Sequence, residues 1–164
     1  MQKFVTNLWF NNDGEDAANF YISLFENSRI TRILRYSKDG AKTAEMPEGS
    51  VMTVDFELGG QQYTLINGGP AFKQTEAASI LVRCRDQAEI DRLWSALTAD
   101  GGEESYCGWL KDKFGLSWQI VPEFMQEINP SEDPEAFERM MKVVYDTKGK
   151  LDSDKMEEAY RSKS

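Results

Sequence analysis

The pattern of apolar and polar positions at residues 6–24 recurs 73 positions later, at residues 79–97. Each copy begins with a strand-like run, passes through Asp13 or Asp86, and then places apolar residues at i, i+3, i+4 and i+7. Aspartate is a favoured N-cap, so the pattern predicts a strand, a turn and an amphipathic helix in each copy. The helices are expected at roughly Asp13–Asn27 and Asp86–Ala99, and the match without a gap indicates a duplicated module.

Strand signals follow each predicted helix. Runs rich in β-branched or alternating residues predict strands at Ile30–Leu34, Val51–Leu58, Gln61–Asn67, Ser105–Lys111 and Gly115–Val121. The polar segment Ser37–Gly49 is predicted to be a loop. The spacing is shorter in the second copy, so one middle strand there should be shortened or missing.

A different pattern begins after Pro122. Pro134 follows Asp133, as at a helix start, and an apolar stripe runs to Val144. A last short helix is expected at Asp152–Arg161. The sequence therefore predicts an α+β fold of paired βαβββ modules, at about 1–72 and 73–125, which together form one domain at 1–125. A helical tail at 126–164 should follow it.

Charge and composition exclude several classes of partner. The chain has 164 residues, with 19 Lys and Arg against 28 Asp and Glu, for a formal charge of −9. An acidic chain repels phosphate backbones and anionic membranes, so nucleic-acid and membrane partners are not expected. No apolar run is long enough to span a bilayer, and no signal-peptide core follows the N-terminus. We therefore expect a cytoplasmic protein.

The sequence contains no histidine. This excludes a Ser-His-Asp triad, a histidine general base and a histidine metal ligand. Cys84 and Cys107 lie 23 positions apart without a C-x-x-C motif, and we expect free thiols, with one disulfide as the alternative. We predict that Cys107 is structural and that Glu103-Glu104 is a solvated loop, the alternatives being a reactive thiol and a catalytic carboxylate pair.

Several stretches resemble one family. They are Phe20-Tyr21, Asn67-Gly68-Gly69-Pro70, Asp91-Arg92-Leu93-Trp94 and, most specifically, residues 107–122, CGWLKDKFGLSWQIVP. Over about residues 3–122 the chain resembles the PhnB-like branch of the vicinal oxygen chelate superfamily, often labelled 3-demethylubiquinone-9 3-methyltransferase. The superfamily includes glyoxalase I, extradiol dioxygenases and bleomycin-resistance proteins. The resemblance implies a cleft formed by a curved sheet and usually completed in a homodimer.

Metal enzymes of this superfamily carry ligands at four pseudo-symmetric strand positions. Carried over to this chain, the resemblance implies Thr6, Thr64, Ser79 and Gln119. These neutral hydroxyl and amide groups are poor ligands for divalent ions, so no metal is predicted. No G-x-G-x-x-G motif is present, so nothing supports a doubly wound S-adenosylmethionine domain, and no cofactor is predicted.

Strand alternation predicts which residues share the cleft with those four positions. Leu8 and Phe10 should join Thr6, although a slip of one residue would replace them with Asn7 and Trp9. Leu81 and Arg83 should join Ser79. Arg83 could hold a carboxylate or phosphate, or pair with a nearby glutamate.

Two tryptophans flank the turn at 111–115. Trp109 could stack on a flat ligand or pin the hairpin, and Trp118 is expected in the core. The predicted ligand-binding residues are Thr6, Leu8, Phe10, Thr64, Ser79, Arg83, Trp109 and Gln119.

Three functions are consistent with these features. The first is metal-free binding of a small molecule of unknown identity by a homodimer. The second is an enzyme acting on a quinone-like or other aromatic compound. The third is a structural or interaction module whose cleft is filled by its own side chains.

Overall fold

The computed structural model describes residues 2–162, which form eight β-strands and five α-helices. The strands are β1 (Thr6–Phe10), β2 (Arg29–Arg35), β3 (Val51–Leu58), β4 (Gln61–Asn67), β5 (Ser79–Cys84), β6 (Glu103–Glu104), β7 (Trp109–Lys111) and β8 (Ser117–Pro122). The helices are α1 (Gly14–Leu24), α2 (Lys38–Ala44), α3 (Gln87–Thr98), α4 (Pro134–Asp146) and α5 (Ser153–Arg161). The chain divides into two compact units, the first ending at Gln74 and the second beginning at Thr75.

Each unit contains one four-stranded mixed sheet. The strand orders are β1-β4-β3-β2 and β5-β8-β7-β6, so the first strand of each unit pairs in parallel with the last. The two orders are the same topology, which confirms the predicted α+β fold of paired βαβββ modules. The second unit retains all four strands, but β6 has two residues and β7 three, against seven and eight for β2 and β3.

One helix covers one face of each sheet. In the first unit, Tyr21 of α1 is fully buried, and its ring lies 6.5 Å from that of Phe56 in β3. In the second unit, Leu93 and Leu97 of α3 are fully buried, as are Trp118 and Ile120 of β8. Removing a large apolar side chain from water contributes about 1.5–3 kcal/mol, so these faces form the two cores.

The predicted loop at Ser37–Gly49 is wrong, because α2 forms within it. The Ser37 side chain accepts a hydrogen bond from the Gly40 amide (3.3 Å), and Glu45 adopts a left-handed conformation that ends the helix. Glu103-Glu104 is an edge strand rather than a loop, although both side chains are exposed. The predicted helices at Asp13 and Asp86 exist but end earlier, at Leu24 and Thr98.

The tail belongs to the second compact unit. Its α4 and α5 bury an apolar cluster formed by Met140, Val144, Leu151 and Met156. Val121 at the end of β8 packs against this cluster, as does Phe124 in the 3₁₀ turn that follows. The predicted amphipathic stripe on α4 is therefore a core stripe.

Candidate functional site

The face of each sheet opposite its helix is here called the open face. Side chains of paired residues point to the same side of a sheet and alternate along each strand. In the first unit, Phe56 and Tyr63 stack on the α1 side at 5.5 Å. Thr64 and its partner Asp55 therefore lie on the open face.

A hydrogen-bonded group occupies the open face of the first sheet. The Thr64 hydroxyl donates to Asp55 Oδ1 at 2.7 Å, and Arg32 Nε donates to Asp55 Oδ2 at 2.7 Å. Both carboxylate oxygens of Asp55 are therefore engaged by protein donors. These residues line a cavity of roughly 390 Å³ together with Val5.

The predicted orientation of the first strand is wrong by one residue. Thr6 pairs with Tyr63, which faces α1, so Leu8 and Phe10 also face α1, and both are buried in the core. Thr6 therefore lies on the opposite face of the sheet from Thr64. Val5, one residue earlier, lines the open-face cavity with Thr64.

The predicted orientation of β1 is wrong because the turn between β1 and α1 is longer than its counterpart in the second unit. Three residues separate β1 from α1, whereas two separate β5 from α3. The helices thus repeat at 73 positions, from Gly14 to Gln87. Matched by their pairing partners, the strands repeat at 74, because Thr6 pairs with Tyr63 and Ile80 pairs with Trp118. The duplication is real, but the turn interrupts its register.

The open face of the second sheet carries the other predicted residues. Gln119 Nε2 donates to Ser79 Oγ at 2.8 Å, and Trp109 pairs with Gln119 across the strands. Gln119 also pairs with Leu81 of β5, the neighbouring strand opposite to β7, and Leu81 is 43 % exposed. The structure thus brings Ser79, Gln119 and Trp109 together beside an exposed apolar side chain.

Arg83 pairs with Val121, which alternates with the fully buried Ile120 on the α3 side. Arg83 therefore also lies on this open face. It is exposed, and within residues 2–162 it forms no ion pair or hydrogen bond. The alternative of a pairing with glutamate therefore does not hold among the described residues. Its guanidinium is available to an anionic group.

Asp112 organises the hairpin that presents Trp109 and Gln119. Its carboxylate is 2 % exposed and accepts from the Phe114 amide (2.8 Å), the Leu116 amide (3.1 Å) and Trp118 Nε1 (2.8 Å). Trp118 itself is fully buried, as predicted. Sequence reasoning missed Asp112, although an aspartate that precedes a Lys-Phe-Gly turn is a recognisable Asx-turn signal.

Asn67 plays a similar role in the first unit and was also missed. Asp13 makes no side-chain capping bond. Instead, Asn67 Oδ1 accepts from the Gly14 amide at 2.9 Å, and Asn67 Nδ2 donates to the Val51 carbonyl at 3.1 Å. A Cβ at position 14 would lie 2.7 Å from Asn67 Oδ1, so this close approach requires glycine.

The two cysteines are free thiols, as predicted. Burial is the main reason why the pKa of Cys84 is raised to about 12, since the side chain is 1 % exposed in the core. A thiol of this kind stays protonated and unreactive at neutral pH. Cys107 is half-buried and packs against the apolar cluster of the tail.

The open faces do not suit a divalent metal ion. The positions that correspond across the two units are Val5, just before β1, together with Thr64, Ser79 and Gln119, and they offer no carboxylate, thiolate or imidazole. The Asp55 carboxylate lies beside Thr64, and its oxygens are engaged by Thr64 and Arg32. Within residues 2–162, no group of three or more His, Cys, Asp or Glu side chains is arranged to hold a metal.

A model of the 3-demethylubiquinone-9 3-methyltransferase family matches residues 2–121. The chain belongs to this family. A putative 3-demethylubiquinone-9 3-methyltransferase, the PhnB protein of Bacillus cereus, is 36 % identical, with a TM-score of 0.66 over 74 % of this chain and 99 % of that one. The resemblance to the PhnB-like branch is thereby confirmed.

Two more distant structures of known fold agree with this placement. Protein PA1353 of Pseudomonas aeruginosa is 21 % identical, with a TM-score of 0.58 over 75 % of this chain and 98 % of that one. The fosfomycin resistance protein FosX of Listeria monocytogenes is 15 % identical, with a TM-score of 0.53 over 77 % and 94 %. At these identities the likeness shows the shared fold alone. No curated protein matches the chain.

The methyltransferase name of the family does not specify an activity for this chain. Two of the four family-like stretches lie in the sheets: residues 67–70 begin at the last residue of β4, and residues 107–122 contain β7, the Asp112 hairpin and β8. Within residues 2–162, no helix is both long enough and apolar enough to cross a membrane.

Proposed function

We propose that this protein binds a small organic molecule on the open face of its second sheet without a metal ion. The observation that carries the proposal is the 2.8 Å hydrogen bond between Gln119 and Ser79. It places a neutral amide and a hydroxyl beside the half-buried indole of Trp109. A few convergent polar groups beside an aromatic surface are typical of small-molecule sites.

The open face of the first sheet also has room for a ligand. The roughly 390 Å³ cavity at Thr64 is large enough to receive part of a small ligand. Leu8 and Phe10 cannot fill the open face, because both are buried on the α1 side. This argues against the structural-module alternative in the form of a cleft closed by Leu8, Phe10 and Trp109 together. The revised ligand-facing residues are Val5 and Thr64 on the first sheet. On the second sheet they are Ser79, Leu81, Arg83, Trp109 and Gln119.

We also propose a homodimer in the cytoplasm. Leu34 and Leu81 leave 37 % and 43 % of their surface exposed on the open faces, and an apolar sheet face is usually covered in solution. The two free cysteines are typical of a reducing compartment. Sedimentation at micromolar concentration should give twice the mass of the chain, and a monomer mass would contradict the dimer. Subcellular fractionation tests the compartment.

The main experiment is a thermal-shift screen of the untagged protein against a metabolite library, followed by titration calorimetry. A ligand that binds only the native state raises the melting temperature by mass action. Gln119→Ala should weaken the best ligand by about tenfold or more, because a buried hydrogen bond to ligand is lost. Gln126→Ala, an exposed glutamine outside both sheets, is the matched control.

Two results would contradict the proposal. One is a bound metal at one equivalent that Gln119→Ala removes, since that would make the site a metal centre. The other is a confirmed ligand whose affinity is the same in Gln119→Ala and Gln126→Ala, since that ligand would bind elsewhere.

A further inference from the structure

A small polar cavity opens at the start of β8 on the open face of the second sheet. Its volume is roughly 110 Å³, and its walls include Glu76, Glu103, Trp109, Lys111 and Ser117. We call it the Ser117 cavity. A space of this size admits a few non-hydrogen atoms, and therefore one end group of a ligand rather than a whole molecule.

Ser117 has an unusual hydroxyl. The residue is 1 % exposed, and its Oγ has no hydrogen-bond partner within residues 2–162. A buried hydroxyl without a partner destabilises the native state, so such groups are rare outside functional sites. Because Ser117 lines the cavity, its hydroxyl can bond to a group that enters.

The equivalent positions of the first sheet differ, because two of their side chains form an ion pair with each other. There, Gln62 is the counterpart of Ser117, and its backbone N–H donates to Gln2 Oε1 at 3.3 Å. Arg29 and Glu57, the counterparts of Glu103 and Lys111, form an ion pair at 3.1 Å.

In the second sheet the partners are arranged differently. Lys111 bonds to Glu76 at 2.6 Å instead of to its strand partner Glu103. That bond lowers the pKa of Glu76 and raises the pKa of Lys111, so both stay charged at neutral pH. Glu103 is left without an ion pair or hydrogen bond from any side chain in residues 2–162.

The charges around the cavity favour a cation. Glu76 and Glu103 provide two carboxylates against the single ammonium of Lys111. The Glu104 carboxylate instead accepts from Trp94 Nε1 at 2.7 Å on the other side of the sheet. An anion would meet net repulsion, whereas a primary ammonium carries three N–H donors and no acceptor. Those donors match the acceptors that have no partner, which are the Ser117 hydroxyl and the Glu103 carboxylate.

We propose that the Ser117 cavity receives the protonated primary amine of a small ligand whose apolar or aromatic body lies against Trp109 and Leu81. This inference rests on the proposed function, because it assigns one end of the ligand that the open face binds. Trp109 connects the two regions, since it lines the cavity and pairs with Gln119. The ligand class is therefore an aralkyl or alkyl amine.

The test compares three probes that share one body and differ in the end group: phenethylamine, phenethyl alcohol and phenylacetate. Titration calorimetry near neutral pH should show phenethylamine binding at least about tenfold more tightly than the alcohol, with phenylacetate weakest. Ammonium chloride at equal concentration controls for a bare cation and should not compete with phenethylamine.

Variants assign the effect to the cavity. Glu103→Gln should reduce phenethylamine affinity several-fold and leave the alcohol unchanged, whereas Glu123→Gln, an exposed glutamate outside the cavity, should change neither. Ser117→Ala should also weaken phenethylamine several-fold. Because Ser117→Ala removes an unsatisfied hydroxyl, its melting temperature should be at least that of the native protein, so lost binding would not reflect unfolding.

The inference is overturned if phenethylamine binds no better than the alcohol, fails to bind, or keeps its affinity in both Ser117→Ala and Glu103→Gln. Competition by ammonium chloride would also overturn it, because the cavity would then be a simple cation site. Failure of the proposed function looks different: library ligands would then ignore Gln119→Ala, whatever their end group.

Discussion

Replacing Asn67 by alanine should destabilise the first unit more than any exposed asparagine replacement. Asn67 is 3 % exposed and connects the end of β4 to the start of α1 and to β3. The change to alanine leaves the Gly14 amide and the Val51 carbonyl without their side-chain partners. Each unsatisfied buried group costs about 1–3 kcal/mol.

The expected loss in the free energy of unfolding is therefore about 2–4 kcal/mol, with relaxation of the site reducing the simple sum. In a protein of this size such a change lowers the melting temperature by about 5–15 °C. Denaturant titration should show a lower midpoint with an unchanged slope. Hydrogen exchange supplies a local readout, since the Gly14 amide should lose its protection.

The matched control is Asn12→Ala. Asn12 is exposed and its side chain makes no hydrogen bond within residues 2–162, so its loss should stay within about 0.5 kcal/mol. The reasoning is refuted if Asn67→Ala falls in the same range as Asn12→Ala. It is also refuted if the Gly14 amide remains protected in the variant, since another group must then accept that hydrogen bond.

The remaining predictions concern the second unit and the hairpins. Asp112→Ala should cost about 3 kcal/mol or more in denaturant titration, because three buried donors lose a charged acceptor; a loss below about 1 kcal/mol would contradict this role. Gly108→Ala should cost more than Gly59→Ala by about 1–3 kcal/mol: both have positive φ (81° and 54°), but only at position 108 would a Cβ meet backbone, 2.8 Å from a carbonyl oxygen. Equal losses would refute the steric argument. The raised pKa of Cys84 keeps its thiol protonated in the native state while the unfolded chain deprotonates above about pH 8.5, so the free energy of unfolding should fall as pH rises from about 8.5 to 12. Iodoacetamide should modify Cys107 in the native protein well before Cys84, and equal rates would contradict the burial argument.

The helices and strands of the sheets follow from local patterns that the sequence displays directly. The stripe at Ile90, Leu93 and Leu97 is fully buried on α3, as periodicity predicts. The helix α2 escaped prediction because Gly40 weakens helix propensity and its seven residues carry few apolar positions. The Ser37 cap and the left-handed Glu45 define it, and such features are recognised only once the backbone is known.

The faces of the first strand's residues were predictable in one module and not in the other. The alternation of β5 placed Ser79 and Leu81 correctly opposite Val82 and Cys84, because the polar and apolar phases are clear. In β1, polar Asn7 and apolar Trp9 share the open face, so alternation gave the wrong face. The true orientation depends on the extra residue in the turn before α1, which a comparison of aligned residues without a gap cannot reveal.

The tail bonds to the backbone just before β7, where the tryptophan of the proposed ligand site lies. The amide of Cys107 donates to the Thr147 carbonyl (3.0 Å), and the amide of Gly108 donates to the Gly149 carbonyl (2.9 Å). Cys107 and Gly108 both have positive φ (57° and 81°), and a bend of this kind persists only when its surroundings hold it. Trp109 follows directly as the first residue of β7. The orientation of that indole thus depends on the segment between α4 and α5, which ties the tail to the site even though no tail residue is proposed to touch the ligand.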